Sequence, residues 1–286
     1  KKAKLEIIMN LNILFIGDVV GKPGLKIVEE KLPDLREKYK PDMIIINGEN
    51  ATNGKGIIER EANFLFDLGT DIITSGNHVW DNWKGKPLLA SNPLVLRPYN
   101  YPPGNVGRGY AFYAINENVT AAVVNIQGRT FMQTIDCPFR GIDHALKQIS
   151  EKTNIVIVDF HADATAEKQA MAHYLDGRVS ALLGTHTHIP TSDHCIMPQG
   201  MAYITDVGMT GPYDSVVGMR KDVAIKRFTM QTPYKYEMAS DDVRLSGIFL
   251  EIDAESGKAN YIEQIIDPLP IRKRSIDNND GEKHEK

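Results

Sequence analysis

Basic excess is missing from this chain. Its 33 lysines and arginines stand against 37 aspartates and glutamates, a formal net charge of −4. No general positive field exists to hold long nucleic acid non-specifically. Cysteine is scarce as well. Cys137 and Cys195 cannot build a disulfide framework, and neither belongs to a Cys-X-X-Cys pair of the structural-zinc type. This usage fits a reducing compartment, and a cytoplasmic location is expected. Long apolar runs are lacking: Ile13-Leu14-Phe15-Ile16 and Met43-Ile44-Ile45-Ile46 fall far short of the ~18 residues of a membrane span. The start, Lys1 to Asn10, is basic and then mildly apolar, but Asn10, Asn12 and Asp18 interrupt any signal-peptide core and no small-residue cleavage site follows, which argues against a signal peptide. Met9 reads as the natural start, making residues 1–8 an upstream extension. With no internal repeat or low-complexity linker, one layered domain over residues 9–271 is expected, followed by a polar, charged and disordered tail, 272–286.

What is present is 286 residues, 42% hydrophobic and 24% charged, the balance of a globular chain. Its first two-thirds alternates short β-branched runs with helical stretches, the rhythm of βαβ crossovers and a largely parallel sheet. Strands are expected at Ile13–Gly17, Met43–Asn47, Ile72–Ser75, Ala121–Ile126, Ile155–Phe160 and Ala181–Gly184, each apolar enough to be buried on both faces. Helices are expected at Gly24–Tyr39, divided or kinked by Pro33, and at Ile57–Leu68, closed by Gly69. Two more should span Phe139–Ser150 and Thr165–Asp176, the latter with Thr165 as N-cap and Gly177 as its end. From about Pro190 the pattern changes to short strands and turns, ending in a hairpin of Gly247–Ile252 and Asn260–Ile265.

In a parallel sheet the loops leaving the carboxyl ends of the strands share one edge, where ligands bind. The residues after the apolar runs are informative. Asp18 follows the first run, Glu49 and Asn50 the second, Asn77 and His78 the third, His161 the fifth and His186-Thr187-His188 the sixth. Singly, each has a bland reading as a cap, an Asx-turn or a core histidine. Jointly they bring carboxylate, amide and imidazole groups to one rim. In an extended segment His186 and His188, two apart, would point the same way and reach one ion or a close pair. The glycine-rich Gly17 to Gly24 stretch fits neither phosphate-loop spacing. Arg97, Arg108 and Arg129 can each meet a phosphate, and nothing selects one.

Carboxylate, amide oxygen and imidazole together suit manganese, iron or zinc. Seven such groups, with His78 set aside, are too many for one four-coordinate ion and suit two ions that share a bridge. Glu49 is the expected bridge. Two ions ~3.5–4 Å apart can hold a bridging hydroxide for in-line attack on a phosphoryl group. His78, beside Asn77, would then be the general acid at the leaving oxygen.

The order Asp18, Gly48-Glu49-Asn50, Gly76-Asn77-His78, His161 and Gly184-Thr185-His186-Thr187-His188 resembles the calcineurin-like metallophosphoesterases over about residues 11–210. Three departures stand out. The family's Asp-X-His is Asp18-Val19-Val20, its bridging Gly-Asp is Gly48-Glu49, and the acid after Gly-Asn-His is Val79, which leaves Asp81 as the nearest residue to orient His78. Those departures, with Gly17-Asp18-Val19-Val20-Gly21 and Asp159-Phe160-His161-Ala162, resemble the bacterial YmdB-like subfamily. The resemblance implies a four-layer α/β/β/α sandwich, with mostly parallel strands in the first two-thirds and short antiparallel strands after them. It also implies a homo-oligomer and an iron-containing, dinuclear phosphodiesterase acting on 2′,3′- and 3′,5′-cyclic nucleotides. One metal would take Asp18, Glu49, Asn50 and His188, the other Glu49, Asn77, His161 and His186. A phosphomonoesterase or nucleotidase on the same metals, or a regulator that binds a nucleotide without turnover, are the competing functions.

Overall fold

The computed structural model describes residues 10–269; the expected extension, residues 1–8, and the tail, 272–286, lie outside them. The chain alternates β1 (Asn10–Ile16), α1 (Gly21–Tyr39), β2 (Met43–Asn47), α2 (Glu59–Asp67), β3 (Ile72–Thr74), α3 (Lys86–Ser91), β4 (Tyr110–Ala114) and β5 (Thr120–Gln127). It continues through α4 (Pro138–Ile149), β6 (Val156–His161), α5 (Thr165–Leu175), β7 (Ala181–Thr185), β8 (Cys195–Ile196), β9 (Ala202–Ile204) and β10 (Gly211–Pro212). The last elements are α6 (Lys221–Met230), β11 (Val243–Asp253) and β12 (Ala259–Asp267). Among the described residues, no helix is long and apolar enough to cross a membrane.

Two mixed sheets form. One has the order β10-β11-β1-β2-β3, with β12 paired to β11; the other runs β4-β5-β6-β7-β9-β8. Strand periodicity assigns their faces. Ile13, Phe15, Met43 and Ile45 of the first sheet share one apolar cluster with Val123, Ile157, Leu183 and Ile204 of the second. The alternate residues of the first sheet, Leu14, Ile16, Ile44 and Ile46, pack with Ile27, Val28 and Leu32 of α1 and Leu65 of α2. Those of the second, Val124, Val158, Phe160 and Leu182, pack with Ile142 of α4 and Met171 of α5. Continuous apolar runs are therefore what this arrangement needs, since every central strand is covered on both sides.

Several expectations are corrected. Pro33 does not divide α1, which runs unbroken from Gly21. Pro33 is exposed, so the Glu29 carbonyl it leaves without an intrahelical donor lies on the solvent side. Ala164, not Thr165, is the N-cap of α5, and no side chain caps it. The region after Pro190 is not merely short antiparallel strands: β9 runs parallel to β7, and β11 and β12 form an antiparallel pair of 11 and 9 residues. It also contains α6, which sequence periodicity misses because Ile225, Phe228 and Met230 are exposed and break any amphipathic pattern. Within the first two-thirds, β4 pairs antiparallel with β5.

Candidate metal centre

The carboxyl ends of parallel strands from both sheets meet at one place. β1, β2 and β3 run parallel in one sheet, β6 and β7 in the other, and the predicted rim residues leave all five. Asp18 lies two residues beyond β1, Glu49 and Asn50 follow β2, and Asn77 and His78 occupy a single 3₁₀ turn after β3. His161 is the last residue of β6 and His186 the first after β7. Asp18, Glu49 and His161 are fully buried; His78, His186 and His188 are half-buried.

The ligand atoms of Glu49, His161 and His186 lie within 4.8 Å of one another, and so do those of Asp18, Glu49 and His188. Glu49 is common to both triples. The His186-Thr187-His188 segment is not extended as expected: His186 and His188 both have positive φ, 100° and 67°. That turn separates the two imidazoles, sending each to its own triple instead of aligning them. Asn77 joins the first triple, its Oδ1 3.1 Å from His161 Nε2. Asn50 joins the second, its Nδ2 3.0 Å from Glu49 Oε1 and 3.1 Å from His188 Nε2. Exchange of the amide nitrogen and oxygen by a flip puts Oδ1 at that point.

Hydrogen bonds fix which ring atoms face inward. Thr185 Oγ1 donates its one hydrogen to Asp159 Oδ1, 2.7 Å away. It therefore accepts from His161 Nδ1, 2.9 Å away, which leaves His161 Nε2 toward Glu49 Oε2 at 3.2 Å and His186 Nδ1 at 3.0 Å. The Val217 carbonyl takes the Nδ1 proton of His188 at 3.0 Å, leaving Nε2 inward. Asp18 Oδ1 is buried with no hydrogen-bond partner. An orphaned carboxylate oxygen is costly in a protein interior. Such a donor set fits hard or borderline divalent cations.

Electrostatics of the protein groups alone agree. Burial pushes the Glu49 carboxyl up, but the imidazoles of His161, His78 and His186 outweigh it and hold it well below the usual carboxylate range. Asp18 is raised by burial, with Glu49 and Asp206 adding to it against the pull of His161. Burial works against a charged His161, yet Glu49, Asp18 and Asp159 lift it to about 9. His186 is depressed to about 3 by burial and by His161. His161 is thus the cation offsetting two buried carboxylates, the place a metal would take.

Outside the triples, His78 Nδ1 lies 2.8 Å from Asp81 Oδ2, and the His78 backbone N–H donates to Glu49 Oε2 at 3.2 Å. Gly76 explains why the turn begins with glycine. A Cβ there would stand 2.2 Å from His161 Nε2 and 2.3 Å from Glu49 Oε2. Gly76→Ala should displace both side chains and lower activity by about 10²-fold, the scale of an ångström misplacement, while circular dichroism stays native. Metal analysis checks this; a fully loaded, active variant would refute it.

Several supporting residues escape strand-end reasoning. Fully buried Asp159 accepts from Asn47 Nδ2 at 2.8 Å as well as from Thr185 and Thr74, anchoring the strand ends. Buried Lys168 of α5 donates to the Thr185 carbonyl at 2.8 Å and to Asp206 Oδ2 at 2.7 Å, and Asp206 Oδ2 also accepts from Thr187 N at 3.0 Å. This pair pins the turn carrying His186 and His188. Asp206 follows β9 as Asp18 follows β1, so the same signal would have found it had β9 been read as a parallel strand. His144 and His173 lie on α4 and α5. His194 belongs to neither triple.

The chain is 46% identical over 256 residues, 90% of its length and 97% of the relative's, to the 2′,3′-cyclic-nucleotide 2′-phosphodiesterase of Bacillus subtilis (strain 168). A crystal structure of a novel phosphatase from Mycoplasma pneumoniae superposes with a TM-score of 0.86 at 33% identity, covering 91% of this chain and 94% of that one. A hypothetical protein from Thermus thermophilus gives 0.84 at 42% identity, covering 90% and 98%. The family model for YmdB-like proteins matches residues 14–265, and the chain belongs to this YmdB-like group of metallophosphoesterases.

Proposed function

We propose that this chain is a dinuclear-metal phosphodiesterase that opens 2′,3′-cyclic nucleotides. The observation that carries the reading is the pair of ligand triples sharing buried Glu49, with His78 presented beside them and belonging to neither. Asp18, Glu49, Asn50 and His188 would hold one cation; Glu49, Asn77, His161 and His186 would hold the other. Iron is the metal the family resemblance favours, and manganese and zinc suit the same donors. When bound, the pair supplies an activated water and takes up charge on the phosphoryl oxygens.

The protein's own groups do the rest. Asp81 accepts from His78 Nδ1 and fixes the ring, so Nε2 is the nitrogen that hands a proton to the leaving oxygen. As the water oxygen bonds to phosphorus and the P–O2′ bond breaks, that proton neutralises the ribose O2′ and the product is a 3′-phosphomonoester. The Asp159, Thr185 and Lys168 contacts hold the imidazoles in place before substrate arrives. A 3′,5′-cyclic diester presents the same reacting group and is a second substrate to test.

Metal-loaded protein should hydrolyse 2′,3′-cAMP to 3′-AMP and cleave bis-p-nitrophenyl phosphate faster than p-nitrophenyl phosphate. Product chromatography decides between readings: activity confined to monoesters establishes the phosphomonoesterase, and nucleotide binding without product establishes the regulator.

A further inference from the structure

Of the arginines that the sequence offers to a phosphate, the fold gathers Arg97 and Arg129 with Arg140 around one cavity of about 600 Å³. That volume is in the range of small-molecule sites. Arg97 is 9% exposed; its guanidinium donates to the carbonyls of Pro98, Tyr99, Val106 and Asn105, so it adds positive charge to the wall instead of a free donor, and no carboxylate pairs with it among the described residues. Arg129 and Arg140, both exposed, also have no ion-pair partner among the described residues. Arg60, Arg178, Arg220 and Arg244 each sit beside a carboxylate; Arg36, Arg108 and Arg227 have no such partner among the described residues but do not line this cavity. One acid, Asp136, lines the cavity. In a chain of net charge −4, this leaves a local positive excess in a concave, partly desolvated place, where guanidinium groups bind phosphate most strongly.

Packing and hydrogen bonds link the cavity to the elements that carry the candidate metal ligands. Tyr101 lines it, and the Tyr101 ring packs 5.3 Å from that of Trp80, the last residue of the turn that carries His78. Tyr101 Oη donates to Gln127 Oε1 at 3.1 Å. Gln127 is the register partner of His161 across β5 and β6, and the next residue, Gly128, donates its N–H to the His161 carbonyl at 3.0 Å. That backbone bond ties the arginine-bearing loop to the rim. Arg129 therefore stands one residue from a peptide bonded directly to a proposed ligand.

We propose that this cavity is a second phosphate subsite, one that receives the 5′-phosphate of the nucleotide whose cyclic diester lies at the metal centre. The inference rests on the cyclic-nucleotide reading above and extends it: the preferred substrate carries a second phosphate one nucleoside away. That phosphate is either the terminal monoester of a mononucleotide or the internal diester of a short oligonucleotide ending in a cyclic phosphate.

The test compares 2′,3′-cAMP, its 5′-phosphorylated form and the dinucleotide ApA ending in a 2′,3′-cyclic phosphate, on the metal-loaded wild type and on the double variant Arg129→Ala, Arg140→Ala. In the wild type, KM should be about tenfold lower for at least one phosphorylated substrate than for 2′,3′-cAMP, the contribution of one charge-assisted hydrogen bond. The double variant should bring that ratio to about one. Preference for the mononucleotide or for the dinucleotide identifies the source of the phosphate. Equal KM values in the wild type, or a ratio the variant leaves unchanged, overturn the subsite and leave the hydrolase reading standing. Calorimetry with adenosine 3′,5′-bisphosphate and 3′-AMP reads the cavity without turnover. Tighter binding of the bisphosphate that the double variant abolishes supports the subsite even if no cyclic nucleotide is hydrolysed; equal binding of the two ligands overturns it.

Discussion

Glu49→Gln should strip the protein of both cations and lower kcat by about 10³-fold or more, the upper scale for removing one preorganised electrostatic group. Glu49 is the residue common to the two ligand triples, and it is fully buried. Glutamine keeps its shape and loses its charge, so two cations would face Asp18 as their remaining carboxylate. The fold should survive. Without metal, an uncharged side chain at 49 relieves the repulsion with Asp18 but gives up the attraction of His161, His78 and His186, two changes that oppose each other. Chelator-treated wild type and variant should therefore melt at similar temperatures, which separates loss of metal from loss of structure. His188→Ala touches one triple alone and should chiefly weaken one cation. Metal content is the deciding measurement: a Glu49→Gln protein carrying as much metal as the wild type would sink the shared-ligand role.

His78→Ala should act differently, lowering kcat on 2′,3′-cAMP by about 10²–10⁴-fold, the usual contribution of a general acid, with metal content unchanged. His78 belongs to neither triple and reaches the site through its ring, which Asp81 orients. Asp81→Asn should give a smaller loss in the same direction. The leaving group distinguishes this role from simple misplacement. p-Nitrophenolate departs without a proton, so bis-p-nitrophenyl phosphate should lose far less rate than 2′,3′-cAMP when His78 is removed. Equal losses on both substrates, or a fall in metal content, would assign His78 to positioning instead.

The chain alone reveals the rim because each proposed ligand follows an apolar run, and parallel strands deliver whatever follows them to one edge. Asp18, Glu49, Asn50, Asn77, His161, His186 and His188 are legible for that reason. So are the strands that place them: the runs around Ile13, Met43, Ile72, Ile155 and Ala181 coincide with β1, β2, β3, β6 and β7. Asp81 is legible through its three-residue spacing from His78, which one 3₁₀ turn brings together. Lys168, Asp159 and Asp206 are not, because each sits inside or beyond an element whose partners are far away in sequence.

Sequence by itself determined which strand ends present carboxylate, amide and imidazole groups to one rim, since side-chain alternation and the direction of a parallel strand are local properties. The two-sheet sandwich and the division of His186 and His188 between two ligand sets were implied by the family resemblance; only the tertiary structure decided that left-handed backbone at His186 and His188 turns their rings apart, and that Arg97, Arg129 and Arg140 share a cavity beside Tyr101. These outcomes depend on contacts between distant segments, such as Asn47 with Asp159, 112 residues apart. Their energies come from burial and pairing in the assembled core, and no local pattern encodes them.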